Sequence, residues 1–206
     1  MTTLDIDTPH GPARAHLRPV DDPRAGLVLG HGAGGGVEAP DLVTATKAAQ
    51  AEGLTVVLVE QPYRVAGRRS STRAPQLDAA WIAVVEHLRL RQLGSLPLVV
   101  GGRSAGARVA CRTAEETAAA AVLCLAFPLE PPTKAGKSPQ SRLPELEAVK
   151  VPVLVVQGEA DRFGMPPTSP TRTVVKVTGD HGLKKDQGVI ADAVQAWLAT
   201  VLQTET

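Results

Sequence analysis

VVGGRSAGARVA, residues 99–110, carries the reading of the fold. An apolar, β-branched run enters two glycines, passes a serine flanked by small residues and leaves through an Ala-rich segment of helical character. Those residue types in that order predict a strand-to-helix corner, because glycines collect where a Cβ would obstruct the backbone angles or a close approach. Gly102, Ser104 and Gly106 fit G-x-S-x-G, the pattern in which a serine on a strained turn presents its hydroxyl above a sheet. So short a pattern also arises by chance, and its context has to decide.

Outward from this corner the chain alternates. AGLVLG (25–30), TVVLVE (55–60), PLVVGG (97–102), AVLCLAF (121–127), PVLVVQG (152–158) and RTVVKV (172–177) read as strands. Helices are predicted over 42–53, over 75–94 (Leu77, Trp81, Val84, Val85 and Leu88 at helical spacing), over about 105–118 and from about Asp186 to Leu202. The polar stretch before residue 25 has room for two short strands. Continuous apolar strands alternating with helices imply an α/β, doubly wound, mainly parallel sheet with helices on both faces. The Pro-rich segment 128–152 is the only long irregular region, and its prolines oppose a large lid of regular structure. With no repeat and no linker, the 206 residues read as one domain.

Composition narrows the function. Twenty-two basic and 21 acidic residues give a net charge of +1, which offers no electrostatic reason for nucleic acid or an anionic membrane as partner. Cys111 and Cys124 form neither a CxxC nor a cluster with His, and are expected to be buried structural thiols. The N-terminus lacks a basic region followed by an apolar one, and no stretch approaches the roughly 18 apolar residues of a membrane span, so a cytoplasmic protein is expected.

A serine hydroxyl needs a base to become a nucleophile at neutral pH, and histidine is the usual one. Of five histidines, His10 and His16 precede the first buried strand, His31 precedes a glycine loop, and His87 lies within an amphipathic helix. His181, in VTGDHGL, follows the last strand and would share a sheet edge with Ser104. Between the two in sequence, Asp161 in QGEADRFG lies just beyond a strand end and suits the orienting acid, with Glu159 and Asp180 as competitors. Asp180 is chain-adjacent to His181 and ill placed to reach its ring. LVLGHGAGGG (27–36) offers the remaining part: the backbone N–H groups of Ala33 and Ala105 are the expected oxyanion donors, with Gly32, Gly34, Gly35 and Gly36 keeping the turn compact.

The same loop fits a rival, since Gly30, Gly32 and Gly35 after a strand, with Glu60 ending the next, match a dinucleotide-binding fingerprint. In that motif the helix opens on the glycines themselves, whereas Pro40 here points to a later start near Asp41.

Through GHGAGGG, GGRSAGARVA, GEADRFG and GDHGL the chain resembles the α/β-hydrolase superfamily over nearly its whole length. The likeness is to a small lidless branch, similar to dienelactone-hydrolase-like and testis-expressed α/β-hydrolase-like proteins. It implies a mainly parallel sheet of about eight strands, with Ser104 as nucleophile, Asp161 as acid and His181 as base. The implied activity is that of a serine hydrolase on a small-molecule acyl ester, thioester or amide, with no metal or cofactor. Some relatives keep the fold as an interaction module, which stands as the alternative.

YRVAGRRSSTR, residues 63–73, leaves the sheet on the same side as Ser104. The plain account of its arginines is a solvated loop. The functional account makes Arg68 and Arg69, with Arg103, a basic rim that favours small or anionic acyl substrates.

Overall fold

Eight strands form a single sheet. A computed structural model of the chain describes residues 2–68, 73–131 and 140–203. The strands are β1 (Thr2–Ile6), β2 (Ala13–Arg18), β3 (Ala25–Gly30), β4 (Leu54–Glu60), β5 (Leu98–Arg103), β6 (Ala121–Leu125), β7 (Val153–Gly158) and β8 (Arg172–Val177). They lie in the order β1-β2-β4-β3-β5-β6-β7-β8. β2 runs antiparallel to β1 and to β4, and every pair from β4 to β8 is parallel. The parallel strands therefore all end at one edge.

The side-chain alternation of the strands feeds two cores. Val28, Val57, Val100, Val122 and Val155 enter the core closed by the single turn α2 (Pro62–Val65), α3 (Ala74–Leu88) and α4 (Ala105–Arg112), where Tyr63, Trp81, Val84, Leu88 and Val109 are buried. Leu27, Leu29, Val56, Leu58, Val99, Leu123 and Leu154 enter the opposite one, closed by α1 (Pro40–Ala51) and α6 (Gln187–Val201) through Leu42, Ala45, Ile190, Val194 and Leu198. The expected doubly wound α/β sheet covered on both faces is what the chain forms. Cys111 and Cys124 are buried and free, their sulfurs 3.5 Å apart, and the Cys111 neighbour together with burial raises the pKa of the Cys124 thiol. No helix among the described residues is long and apolar enough to cross a membrane.

Four boundaries differ from the sequence reading. α4 ends at Arg112 rather than near 118, because the hydroxyls of Thr113 and Thr117 bond back to the carbonyls of Val109 and Thr113, and Ala118 turns to φ 46°. β6 stops at Leu125, where Ala126 adopts φ 51°. α3 widens after Leu88 into a π-helical turn, Arg89–Leu93, that ends on Gly94 at φ 58°. A short α5 (Leu143–Glu147) stands in the Pro-rich segment, and its Glu145 pairs with Arg108 and Arg112 of α4.

Candidate active site

Ser104 follows β5 directly, Asp161 lies three residues beyond β7, and His181 lies four beyond β8, so all three stand at the common edge where the parallel strands end. The corner at Ser104 is sharp. Its φ of 52° and ψ of −107° are unusual for a residue with a Cβ, and its N–H donates to the Leu125 carbonyl at 2.9 Å. Close packing under the turn requires the two glycines of the pattern: a Cβ on Gly102 would come 2.5 Å from the Gly30 carbonyl oxygen, and one on Gly106 would overlap the same atom.

Ser104 Oγ lies 2.9 Å from His181 Nε2, and His181 Nδ1 lies 2.8 Å from Asp161 Oδ2. A carboxylate can only accept, so Nδ1 carries the imidazole proton and Nε2 is left to accept from the serine hydroxyl. The Asp161 side chain is fully buried and its lone pairs are used, Oδ2 by His181 and by Gln157 Nε2 at 2.8 Å, and Oδ1 by the Phe163 N–H at 2.9 Å. The Phe163 ring sits edge-on to His181 at 4.5 Å. Gly158 brings the two loops together, since a Cβ there would stand 2.5 Å from the Asp180 carbonyl oxygen. Of the competing acids, Asp180 spends Oδ1 on the Gly182 N–H, and both it and Glu159 are exposed.

The glycine loop after β3 runs beside the serine, and a Cβ on Gly32 would be 3.6 Å from Ser104 Cβ. Residues that the sequence reading left without a role hold this loop. His31 is buried, its Nε2 accepts the Gln61 N–H at 3.1 Å, and its Nδ1–H donates to the Gly32 carbonyl at 2.8 Å. Burial lowers the pKa of His31, so the ring is held neutral. The Tyr63 hydroxyl donates to the Ala33 carbonyl at 3.0 Å, and the Gly35 N–H closes a turn on Gly32. Ala105 follows Ser104 in the first turn of α4, and Ala33 follows Gly32 on the loop. Gln157 was also missed. Its signal was a lone amide in an aliphatic strand, VLVVQG.

The arginines expected to form a basic rim fall in different places. Arg69 lies outside the described residues. Arg68 is exposed and lines a cleft of about 300 Å³ with His10, Gln61, Pro62, Tyr63 and Gln76. Arg103 does not belong to an open rim: Nε is 3.0 Å from Asp41 Oδ2 and Nη2 donates to the His181 carbonyl at 2.8 Å. Asp41 is fully buried, which raises its pKa against the opposing pull of Arg103. The dinucleotide rival loses its parts, since Glu60 is paired with His16 at 2.9 Å and α1 begins five residues after Gly35. Among the described residues no group of three or more His, Cys, Asp or Glu is placed to hold a metal ion.

Known structures share this architecture. A lidless α/β serine hydrolase from Xanthomonas campestris is 20% identical, with a TM-score of 0.74 over 97% of this chain and 94% of that one. Est1E from Butyrivibrio proteoclasticus is 16% identical, with a TM-score of 0.76 over 98% and 99%. A dienelactone hydrolase from Anabaena variabilis is 15% identical, with a TM-score of 0.74 over 97% and 96%. Identities this low carry the fold and not the chemistry. No curated protein matches the chain. Residues 23–201, however, match the family model of the alpha/beta hydrolase domain, and the chain belongs to that family.

Proposed function

We propose that the protein is a serine hydrolase that cleaves a small acyl ester through an acyl-enzyme, with thioesters and amides as variants of the same chemistry. The observation that carries this reading is the hydrogen-bonded line from Ser104 Oγ through His181 to the buried Asp161, at 2.9 and 2.8 Å. His181 Nε2 takes the hydroxyl proton as Oγ attacks the substrate carbonyl. Asp161 keeps the imidazole in the tautomer that can accept and offsets the charge of the imidazolium. The N–H groups of Ala33 and Ala105 receive the developing oxyanion, where removing one such donor typically costs about 3–4 kcal/mol of transition-state stabilisation. The imidazolium then gives its proton to the leaving oxygen. A water, deprotonated by the same His181, attacks the acyl-enzyme and frees the acid and Ser104. The sheet draws strands from residue 2 to residue 177, which supports reading 1–206 as one domain.

Labelling with a fluorophosphonate serine probe tests the reading. The expected result is one adduct at Ser104 that is absent in Ser104→Ala, with ester turnover falling by about 10³ or more. A folded wild-type protein that takes no label and turns over no ester would overturn it in favour of an interaction module.

A further inference from the structure

Arg103 is the last residue of β5 and immediately precedes Ser104. Strand alternation puts it on the face of Val99, the face covered by α1, so its side chain leaves the sheet toward the first turn of that helix. There it meets the buried Asp41 carboxylate in an ion pair at 3.0 Å, its N–H off the line of an ideal hydrogen bond. The other end of the guanidinium donates to the His181 backbone carbonyl at 2.8 Å. A Cβ on Gly32 would come 2.9 Å from Nη1, so the glycine loop lies against the same group. One planar cation, its side chain 18% exposed, therefore touches α1, the loop of Ala33 and the loop of His181.

We propose that Arg103, anchored by Asp41, is a positioning residue that fixes the His181 loop and the glycine loop relative to Ser104; its catalytic consequence rests on the hydrolase reading above. Asp161 holds the His181 ring at Nδ1 and Phe163 flanks its edge, but both act on the ring. Arg103 acts on the backbone of that loop. Without it the ring can pivot on its bond to Asp161, and Nε2 swings away from Ser104 Oγ. A guanidinium presents several N–H groups at fixed angles and can serve Asp41 and the carbonyl together, whereas an ammonium on a flexible stem serves one well. Removing either partner strands the other charge in a site made for two.

The test compares Arg103→Met, Arg103→Lys and Asp41→Asn with wild type, and uses Arg24→Met, a surface change, as control. For p-nitrophenyl acetate, Arg103→Met is expected to lower kcat by about 10- to 100-fold, as a misplacement of about 1 Å does, with KM nearly unchanged. Fluorophosphonate labelling should slow by the same factor. Arg103→Lys should recover part of the rate, Asp41→Asn should fall between, and Arg24→Met should match wild type. A second readout needs no turnover: the proton NMR signal of His181 Nδ1–H, far downfield when shared with Asp161, should be present in wild type and lost in Arg103→Met. Wild-type rates with an unchanged resonance in folded Arg103→Met would overturn the proposal. So would a rise in KM confined to carboxylate-bearing esters with kcat retained, which would return Arg103 to the substrate rim. A wild type that takes no label would sink the hydrolase reading alone, and the resonance would then decide the positioning role by itself. If Arg103→Met fails to fold, Arg103→Lys and Asp41→Asn decide it by the same two readouts.

Discussion

A protonated His31 would have to point a second N–H at the Gln61 N–H, losing the 3.1 Å bond, and would carry its charge into a buried site near Arg64. Burial is the larger cause of its lowered pKa, with the Gly32 carbonyl opposing it. Because the folded pKa lies below the unfolded value of 6.5, the unfolded chain binds the extra proton first as pH falls. The stability from a neutral His31 is complete above 6.5 and is lost as pH falls toward the folded pKa. The maximal slope for one proton is about 1.4 kcal/mol per pH unit. Urea unfolding between pH 7.5 and 5 is expected to show wild type losing stability below 6.5 and His31→Gln losing less, with the two curves converging at the acid end. Parallel curves would deny His31 this role. Residue order alone does not reveal it: GHGAGGG places His31 beside the loop, but its partner Gln61 arrives from 30 residues away, and only the pairing of β3 with β4 brings the two together. Ser104, Asp161 and His181 were legible because strand ends in a parallel sheet share an edge.

Among the elements, β3 to β7 were read to within a residue or two because each is a mainly aliphatic run, while the polar β1 and β2 were foreseen only as room for two strands, and the end of α4 depended on threonine hydroxyls and one positive φ that residue type does not announce. The glycines divide in the same way. Gly106 and Gly35 both looked like loop or corner glycines in the sequence, yet α4 crosses β3 so closely at Gly106 that a Cβ would enter the Gly30 carbonyl and stand 2.9 Å from that of His31. Around Gly35 a Cβ would meet nothing within 4 Å. Backbone atoms cannot swing aside as a flexible side chain can. Gly106→Ala is therefore expected to cost at least about 2–3 kcal/mol in urea unfolding, or to prevent folding, and Gly35→Ala to stay within about 0.5 kcal/mol of wild type. Equal costs at the two positions would mean that α4 does not sit this close to β3.

For the molecule as a whole, substrate size follows from what covers the site. The whole chain has two Trp, two Phe and one Tyr. Trp81 and Phe127 are spent in the core, Tyr63 on the Ala33 carbonyl and Phe163 on the edge of His181. Trp197 is buried on α6, so no aromatic residue is left over to wall a long acyl tunnel. The described part of the Pro-rich segment holds only the single turn of α5, which is committed to Arg108 and Arg112 rather than laid over Ser104. An acyl chain longer than a few carbons would lie in water, and each methylene left exposed forgoes about 0.8 kcal/mol of binding. Relative kcat/KM is therefore expected to be highest for p-nitrophenyl acetate and butyrate and to fall for chains of about twelve carbons. Arg68 lines the 300 Å³ cleft together with Gln61 and Tyr63, whose hydrogen bonds hold His31 and Ala33 of the glycine loop. Arg68→Gln should raise KM a few-fold for an ester bearing a carboxylate and spare a neutral one, and added salt should erase the difference by screening an exposed charge. A preference for long chains, or an equal effect of Arg68→Gln on both esters, would show that another surface binds the acyl group.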